Sequence, residues 1–243
     1  MKKIILMTAA LAVSAGMALA ASHSKTVRMG TEGAYPPYNF INDSGEVDGF
    51  ERELGDELCK RAELTCEWVT NEWDSIIPNL VSGNYDTIIA GMSITDERDE
   101  VIDFTQEYIP PSPSYYVAAS ADADIKGGVI AAQTNTIQSA YVADSGATLV
   151  EFATPDETIA AVKNGEADAV LADGDFLKPI VAESNGELVI VEEVSIGGGV
   201  GMGIRESDAE LKAKFDDAIA SMKADGTLNA LIKKWFGDDA ATF

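Results

Sequence analysis

A chain of 243 residues with 46% hydrophobic residues is long enough for one large core or two small ones. Its formal net charge of −24 argues against nucleic acid and anionic membranes as partners. His23 is the single histidine, which argues against a metal site and against Ser-His-Asp, Cys-His and zinc–water chemistry; no cofactor is expected either.

The first 20 residues read as a secretory leader. Lys2 and Lys3 form its positive start, residues 4–13 an apolar run too short to span a bilayer, and Ala18-Leu19-Ala20 a small-x-small cleavage site. No cysteine follows that run, so a lipid anchor is not expected there, and the mature chain is expected to begin at Ala21 as an exported, soluble protein. In an oxidising compartment Cys59 and Cys66 fit one disulfide, with two buried thiols as the alternative.

Residues 26–30 predict a first strand. The segment Thr31-Glu32-Gly33-Ala34-Tyr35-Pro36-Pro37-Tyr38 is a rigid turn that holds Glu32 and its aromatics in place. After a turn at Asn42-Asp43-Ser44-Gly45, Gly49-Phe50-Glu51 opens a helix with Leu54, Leu58 and Ala62 at helical spacing. A short strand at 67–69, a helix over 74–81 and a strand over 85–90 follow. Next comes Gly91-Met92-Ser93-Ile94-Thr95-Asp96-Glu97-Arg98. Thr95 or Asp96 can cap an acidic helical turn over 96–100. Ser93 and Arg98 then meet at the carboxyl end of a strand, where open α/β sheets bind ligands. Arg98 carries a fork of donors suited to one carboxylate. Taken alone, it fits better a solvated cation paired with a neighbour such as Asp99.

Pro110, Pro111 and Pro113 stiffen the chain before a strand over 115–119 that leads away from the first unit. A second alternation follows: strand 128–132, the turn Gln133-Thr134-Asn135-Thr136, a helix from Ile137, strand 148–152, helix 156–164 and strand 169–172. Asp173 then falls in a turn with Gly174. Residues 189–191 read as extended, Gly197-Gly198-Gly199 precedes a strand over 200–204, and helices over 208–224 and 227–236 end the chain. Repeated strand–helix alternation implies parallel sheets with helices on both faces. Two such units joined by Pro-rich and Gly-rich segments form an α/β chain of two lobes around a cleft.

Several stretches together resemble the periplasmic polar amino-acid-binding proteins of ABC importers, solute-binding protein family 3. They are Gly30-Thr31-Glu32-Gly33-Ala34-Tyr35-Pro36-Pro37-Tyr38, Gly49-Phe50-Glu51-Arg52-Glu53-Leu54, Cys59-Lys60-Arg61 with Cys66, Met92-Ser93-Ile94-Thr95 with Arg98, Asp103-Phe104-Thr105, and Asp225-Gly226-Thr227 with Lys234-Trp235-Phe236-Gly237. The likeness is to the lysine/arginine/ornithine- and histidine-binding type, with some to opine-binding members. Arg52 departs from it, because the family signature has an aliphatic residue there. The resemblance implies a two-lobed, periplasmic-binding-protein-like fold of type II, each lobe a sheet flanked by helices, with the ligand cleft between lobes. Lobe 1 is then 25–110 plus 197–243, lobe 2 is 111–196, two crossing strands act as a hinge, and Cys59 pairs with Cys66. The implied protein is a periplasmic monomer, not an enzyme, that hands a free amino acid to the membrane subunits of an ABC permease.

The resemblance also implies roles for single residues. Arg98 takes the ligand carboxylate, Thr136 adds a hydroxyl and N–H at a helix start, and Ser93 lies beside them. Asp173 takes the ammonium. Glu32, Tyr35 and Trp73 form the side-chain pocket, where two aromatic faces suit an aliphatic or cationic group. Ala90 and Gly91 replace hydroxyl residues of some relatives, which widens the pocket or removes a polar contact. Blander roles exist for each: a cap for Thr136, a turn for Asp173, a rim charge for Glu32 and core packing for Trp73. The expected ligand is a basic or polar amino acid. The alternatives are a receptor for an opine or other derivative and, in a different class, a dehydratase-like cleft enzyme with Glu32 or Asp173 as acid or base.

Overall fold

The computed structural model describes residues 26–243; the leader expected over 1–20 and His23 lie outside the described residues. In chain order, β1 (Val27–Thr31) leads to a meander of β2 (Ala34–Tyr35), β3 (Asn39–Ile41) and β4 (Val47–Asp48). Then come α1 (Phe50–Arg61), β5 (Cys66–Thr70), α2 (Ile76–Val81), β6 (Thr87–Ile88), α3 (Asp96–Asp99) and β7 (Asp103–Phe104). The chain crosses to β8 (Ser114–Ala118), β9 (Val129–Gln133), α4 (Ile137–Ser145), β10 (Thr148–Phe152), α5 (Pro155–Lys163), β11 (Ala169–Asp173), α6 (Gly174–Glu183) and β12 (Val189–Val194). It crosses back to β13 (Gly203–Ile204), α7 (Ala209–Asp225) and α8 (Thr227–Phe236).

One sheet has the strand order β5-β1-β6-β13-β7 and the other β10-β9-β11-β8-β12. Each with its helices forms a lobe. Both sheets are mixed rather than parallel throughout. The strand–helix units β1, β5 and β6, and β9, β10 and β11, pair in parallel, but β13 runs antiparallel to β6 and β7, and β8 antiparallel to β11 and β12. The reason is connectivity: β8 and β13 arrive from the other lobe, without the helical crossover that a parallel neighbour requires. The two crossing segments touch, with Tyr108 N–H donating to Val200 O at 2.7 Å and Val200 N–H to Ile109 O at 3.0 Å. Val200 bridges Ser93 and Ile109 in this way, so the strand expected over 200–204 narrows to β13.

Helix α1 opens with Glu51 and Glu53 and ends with Lys60 and Arg61, charges that suit its dipole. Leu54 and Leu58 are fully buried. Gly55 lets α1 lie close on the sheet, because a Cβ there would meet the Trp68 ring at 2.7 Å. The two last helices pack with each other and on α1, so the chain end returns to the first lobe. Arg52 keeps the packing despite its charge: its guanidinium carbon lies 5.7 Å from the Trp68 ring centroid while Nε donates to Asp56 at 2.8 Å. Helix α6 was not expected. Gly174 at its start and Pro179 inside it hide the pattern, and burial of Phe176 and Leu177 outweighs their low propensity.

Cys59 at the end of α1 and Cys66 at the start of β5 form a disulfide, and no free cysteine remains among the described residues. A loop this short is worth about 2–3 kcal/mol in the chain-entropy model. Unreduced protein should therefore show no alkylatable thiol by mass spectrometry. The Cys59→Ala/Cys66→Ala variant should lose about 2 kcal/mol of unfolding free energy in a urea titration.

Candidate functional site

The carboxyl ends of β1, β6, β9 and β11 face one cleft between the lobes, together with the loops that follow them. Its walls include Glu32, Tyr35, Trp73, Ala90, Gly91, Ser93, Arg98, Thr136 and Asp173. All eight residues expected to hold ligand thus come together, from segments up to 141 positions apart. The cleft encloses roughly 480 Å³, part of it continuous with solvent.

Arg98 is carried by α3, whose cap is Thr95: the Thr95 Oγ1 accepts from the Arg98 N–H at 3.2 Å. The half-buried guanidinium donates to Ser93 O at 2.8 Å and to Asn135 O, in the other lobe, at 3.3 Å. It also lies 5.5 Å from the Trp73 ring centroid. Burial lowers its pKa to about 10, which leaves it charged at neutral pH. Trp73 therefore gives a face to Arg98, while its Nε1–H points to Asn135 O at 3.4 Å.

Asp173 ends β11 and starts α6, but its side chain does not cap that helix. The carboxylate turns into the cleft. There Oδ2 accepts from the Tyr35 hydroxyl at 2.8 Å and Oδ1 from Gln138 Nε2 at 2.9 Å. Burial raises its pKa, opposed by those two donors and by the charge of Arg98. Tyr35 stacks on Phe176 with centroids 4.4 Å apart, which covers one of its faces.

Glu32 follows β1 and accepts from Gln133 Nε2, across the cleft, at 2.7 Å. Burial pushes its pKa up to about 7, although the Gln133 bond favours the ionised form. Thr136 is the cap of α4 in a capping box with Ser139; its hydroxyl accepts from the Ser139 N–H at 3.1 Å and donates to Gln133 O at 2.7 Å. The cap role and a place on the cleft wall coexist in this residue. Among the described residues no cluster of three or more His, Cys, Asp or Glu side chains is arranged to hold a metal ion.

Sequence reasoning missed Gln133 and Gln138. Gln133 offered a usable signal, the carboxyl end of a strand. Gln138 offered none, because its reach to Asp173 spans 35 positions. Chemically the cleft sets one cation, Arg98, near two carboxyl groups, Asp173 and Glu32, with apolar and aromatic walls between them. That arrangement complements a small molecule bearing a carboxylate and one or two ammonium-like groups.

The family model of the bacterial extracellular solute-binding proteins, family 3, matches residues 27–238. The chain is 34% identical over 256 residues to the histidine-binding periplasmic protein of Salmonella typhimurium, covering 98% of each chain. It is 32% identical over 255 residues to the L-arginine-binding protein of Pseudomonas aeruginosa, again 98% of each. It is also similar to a crystal structure of a periplasmic His/Glu/Gln/Arg/opine family-binding protein from Silicibacter pomeroyi in complex with lysine. That structure is 78% identical with a TM-score of 0.89, over 90% of this chain and 100% of the other.

The Glu32–Gln133 contact generates a measurable expectation. Because Gln133 stabilises the ionised carboxylate, Gln133→Ala should move the Glu32 titration above its value of about 7. Carbon-13 NMR of labelled glutamate side chains reads this directly; an unmoved or lowered midpoint would refute the assigned bond.

Proposed function

We propose that this chain, which belongs to the bacterial extracellular solute-binding proteins of family 3, is the amino-acid receptor of an ABC importer with a preference for basic side chains. The observation that carries the reading is the set of sheltered charges in one cleft: Arg98 from the first lobe, Asp173 from the second, and Glu32 beyond them. In this reading Arg98, helped by Ser93 and the start of α4 at Thr136, takes the ligand carboxylate. Asp173 takes the α-ammonium. Glu32, with Tyr35 and Trp73, takes a cationic side chain, and Gly91 leaves room beside it.

The energies are sufficient. Micromolar affinity needs about 8 kcal/mol. Four charge-assisted bonds at about 3 kcal/mol each total about 12 kcal/mol, which leaves about 8 after an association cost of about 4 kcal/mol, and burial of the ligand's apolar stem adds to it. A ligand that touches Arg98 on one lobe and Asp173 on the other favours the closed arrangement. Lobe 1 is taken as 25–110 with 197–243 and lobe 2 as 111–196, with motion about the paired crossings near Ile109 and Val200. The closed form, in the periplasm, is what the membrane permease would recognise. The matched relatives, named for histidine and arginine binding, and the similar structure in complex with lysine support this ligand class.

A catalytic reading draws on one observation, two carboxyl groups with raised pKa values in the same cleft. Incubation with an amino-acid mixture separates the two. A receptor returns the bound amino acid unchanged, whereas conversion to a new product would make the protein an enzyme.

Arg98→Ala should weaken lysine binding by at least about tenfold in calorimetry while the chain still unfolds cooperatively, and Arg98→Lys should recover part of that loss. The pH dependence has a definite sign. A cationic ligand binds the ionised form of Glu32, and below a pKa of about 7 binding must expel a proton. Lysine affinity should fall as pH drops through 7, by up to about tenfold per unit, and level off above it. Glu32→Gln should flatten this dependence and cost lysine more than glutamine. Stabilisation by glutamate and none by lysine or arginine in a thermal-shift panel would overturn the preference for basic side chains.

A further inference from the structure

We infer that Glu51 is a positioning residue for the binding site, a buried carboxylate that sets the first lobe's cleft wall and ties it to the interlobe crossing. This rests on the receptor reading above, and it concerns a side chain that does not itself line the cleft. Glu51 is wholly buried in the first turn of α1. Its Oε1 accepts from the Gly91 N–H at 2.6 Å and from the Tyr108 hydroxyl. Its Oε2 accepts from Asn39 Nδ2 at 2.7 Å. Asn39 in turn accepts at Oδ1 from the Gly33 N–H at 2.7 Å.

Each of these partners belongs to a segment with a function. Gly33 lies between Glu32 and Tyr35. Gly91 lies in the loop whose Ser93 carbonyl holds the Arg98 guanidinium. Gly91 has a φ of +63°, so its N–H leaves the regular ladder and needs an acceptor of its own. Tyr108 is bonded through its backbone to Val200 at the crossing. One carboxylate thus joins the ligand-facing residues 32–35 and 90–98 to the place where the lobes connect.

The chemistry requires acceptors at both oxygens. A glutamine at this position would present an N–H either to Asn39 Nδ2 or to the Gly91 N–H, leaving two donors face to face in a buried site. The conflict disappears if Asn39 is changed to aspartate at the same time. The introduced aspartate accepts from Gly33 and from the introduced glutamine, and the glutamine oxygen still accepts from Gly91 and Tyr108. The double variant therefore restores every pairing with the carboxylate moved across the bond.

The test uses the full mature chain with L-lysine as probe, read by calorimetry and by amide hydrogen exchange at Gly91. Glu51→Gln should weaken lysine binding by about tenfold and speed Gly91 exchange. Asn39→Asp/Glu51→Gln should return both to within about threefold of the parent. Tyr108→Phe, which keeps the ring and removes only the tie to the crossing, should weaken binding by about threefold. If Glu51→Gln does not fold, the double variant and Tyr108→Phe carry the same decision. Parent-like lysine affinity in Glu51→Gln, or in Tyr108→Phe where that variant stands in, overturns the inference. So does a double variant as impaired as the single or as unable to fold. A parent protein that binds neither lysine nor any other amino acid overturns the receptor reading instead, and is distinguishable from either result.

Discussion

Shelter from water acts on three charges at once in the cleft, and the arrangement around them answers that cost. Arg98, Asp173 and Glu32 are half-buried, and burial shifts each pKa toward the neutral form. Each is held by dipoles: Arg98 by two backbone carbonyls, Asp173 by a tyrosine hydroxyl and an amide, Glu32 by an amide. Such contacts orient a charge without matching its full electrostatic demand. A ligand carrying the opposite charges at the same spacing supplies the remainder, and supplies it to groups already fixed in place.

The same contacts tie the ligand-facing groups to the spacing of the lobes. Glu32 to Gln133, Tyr35 to Asp173 and Arg98 to Asn135 all cross from one lobe to the other. The covalent links between the sheets are two segments that lie side by side at Ile109 and Val200. A narrow connection leaves the lobes' separation to be decided by what lies between them. The cleft side chains are the contacts that a bound amino acid would replace or reinforce, so occupancy and closure share one set of groups.

The net charge of −24 plays a different part from the two cleft carboxyl groups. Charges spread over the surface act at long range and fade within about 8–10 Å at physiological salt. In general such charges hasten the arrival of cations and favour solubility. In the proposed reading, discrimination between lysine and glutamate is a contact property and belongs to Glu32 and its neighbours.

Much of this was legible in the sequence because local signals carried it. Helical spacing located α1, the Thr95 cap located α3, and strand–helix alternation located both α/β units. All eight expected site residues fall on the cleft wall; Glu32, Ser93, Thr136 and Asp173 come from strand ends and the loops after them, and Arg98 from the short α3 that Thr95 caps. Other features had no local signal. The antiparallel placement of β8 and β13 depends on how the lobes are joined, which period and propensity do not encode. Helix α6 forms against its own glycine and proline because Phe176 and Leu177 bury. Gln138 beside Asp173, and the convergence of Gly91 and Tyr108 on Glu51, join positions tens of residues apart. Residue types and short spacings determined which chemistry this chain carries. Only the tertiary structure decided which groups share a proton, a hydrogen bond or a wall, because those pairings are set by packing between segments distant in sequence.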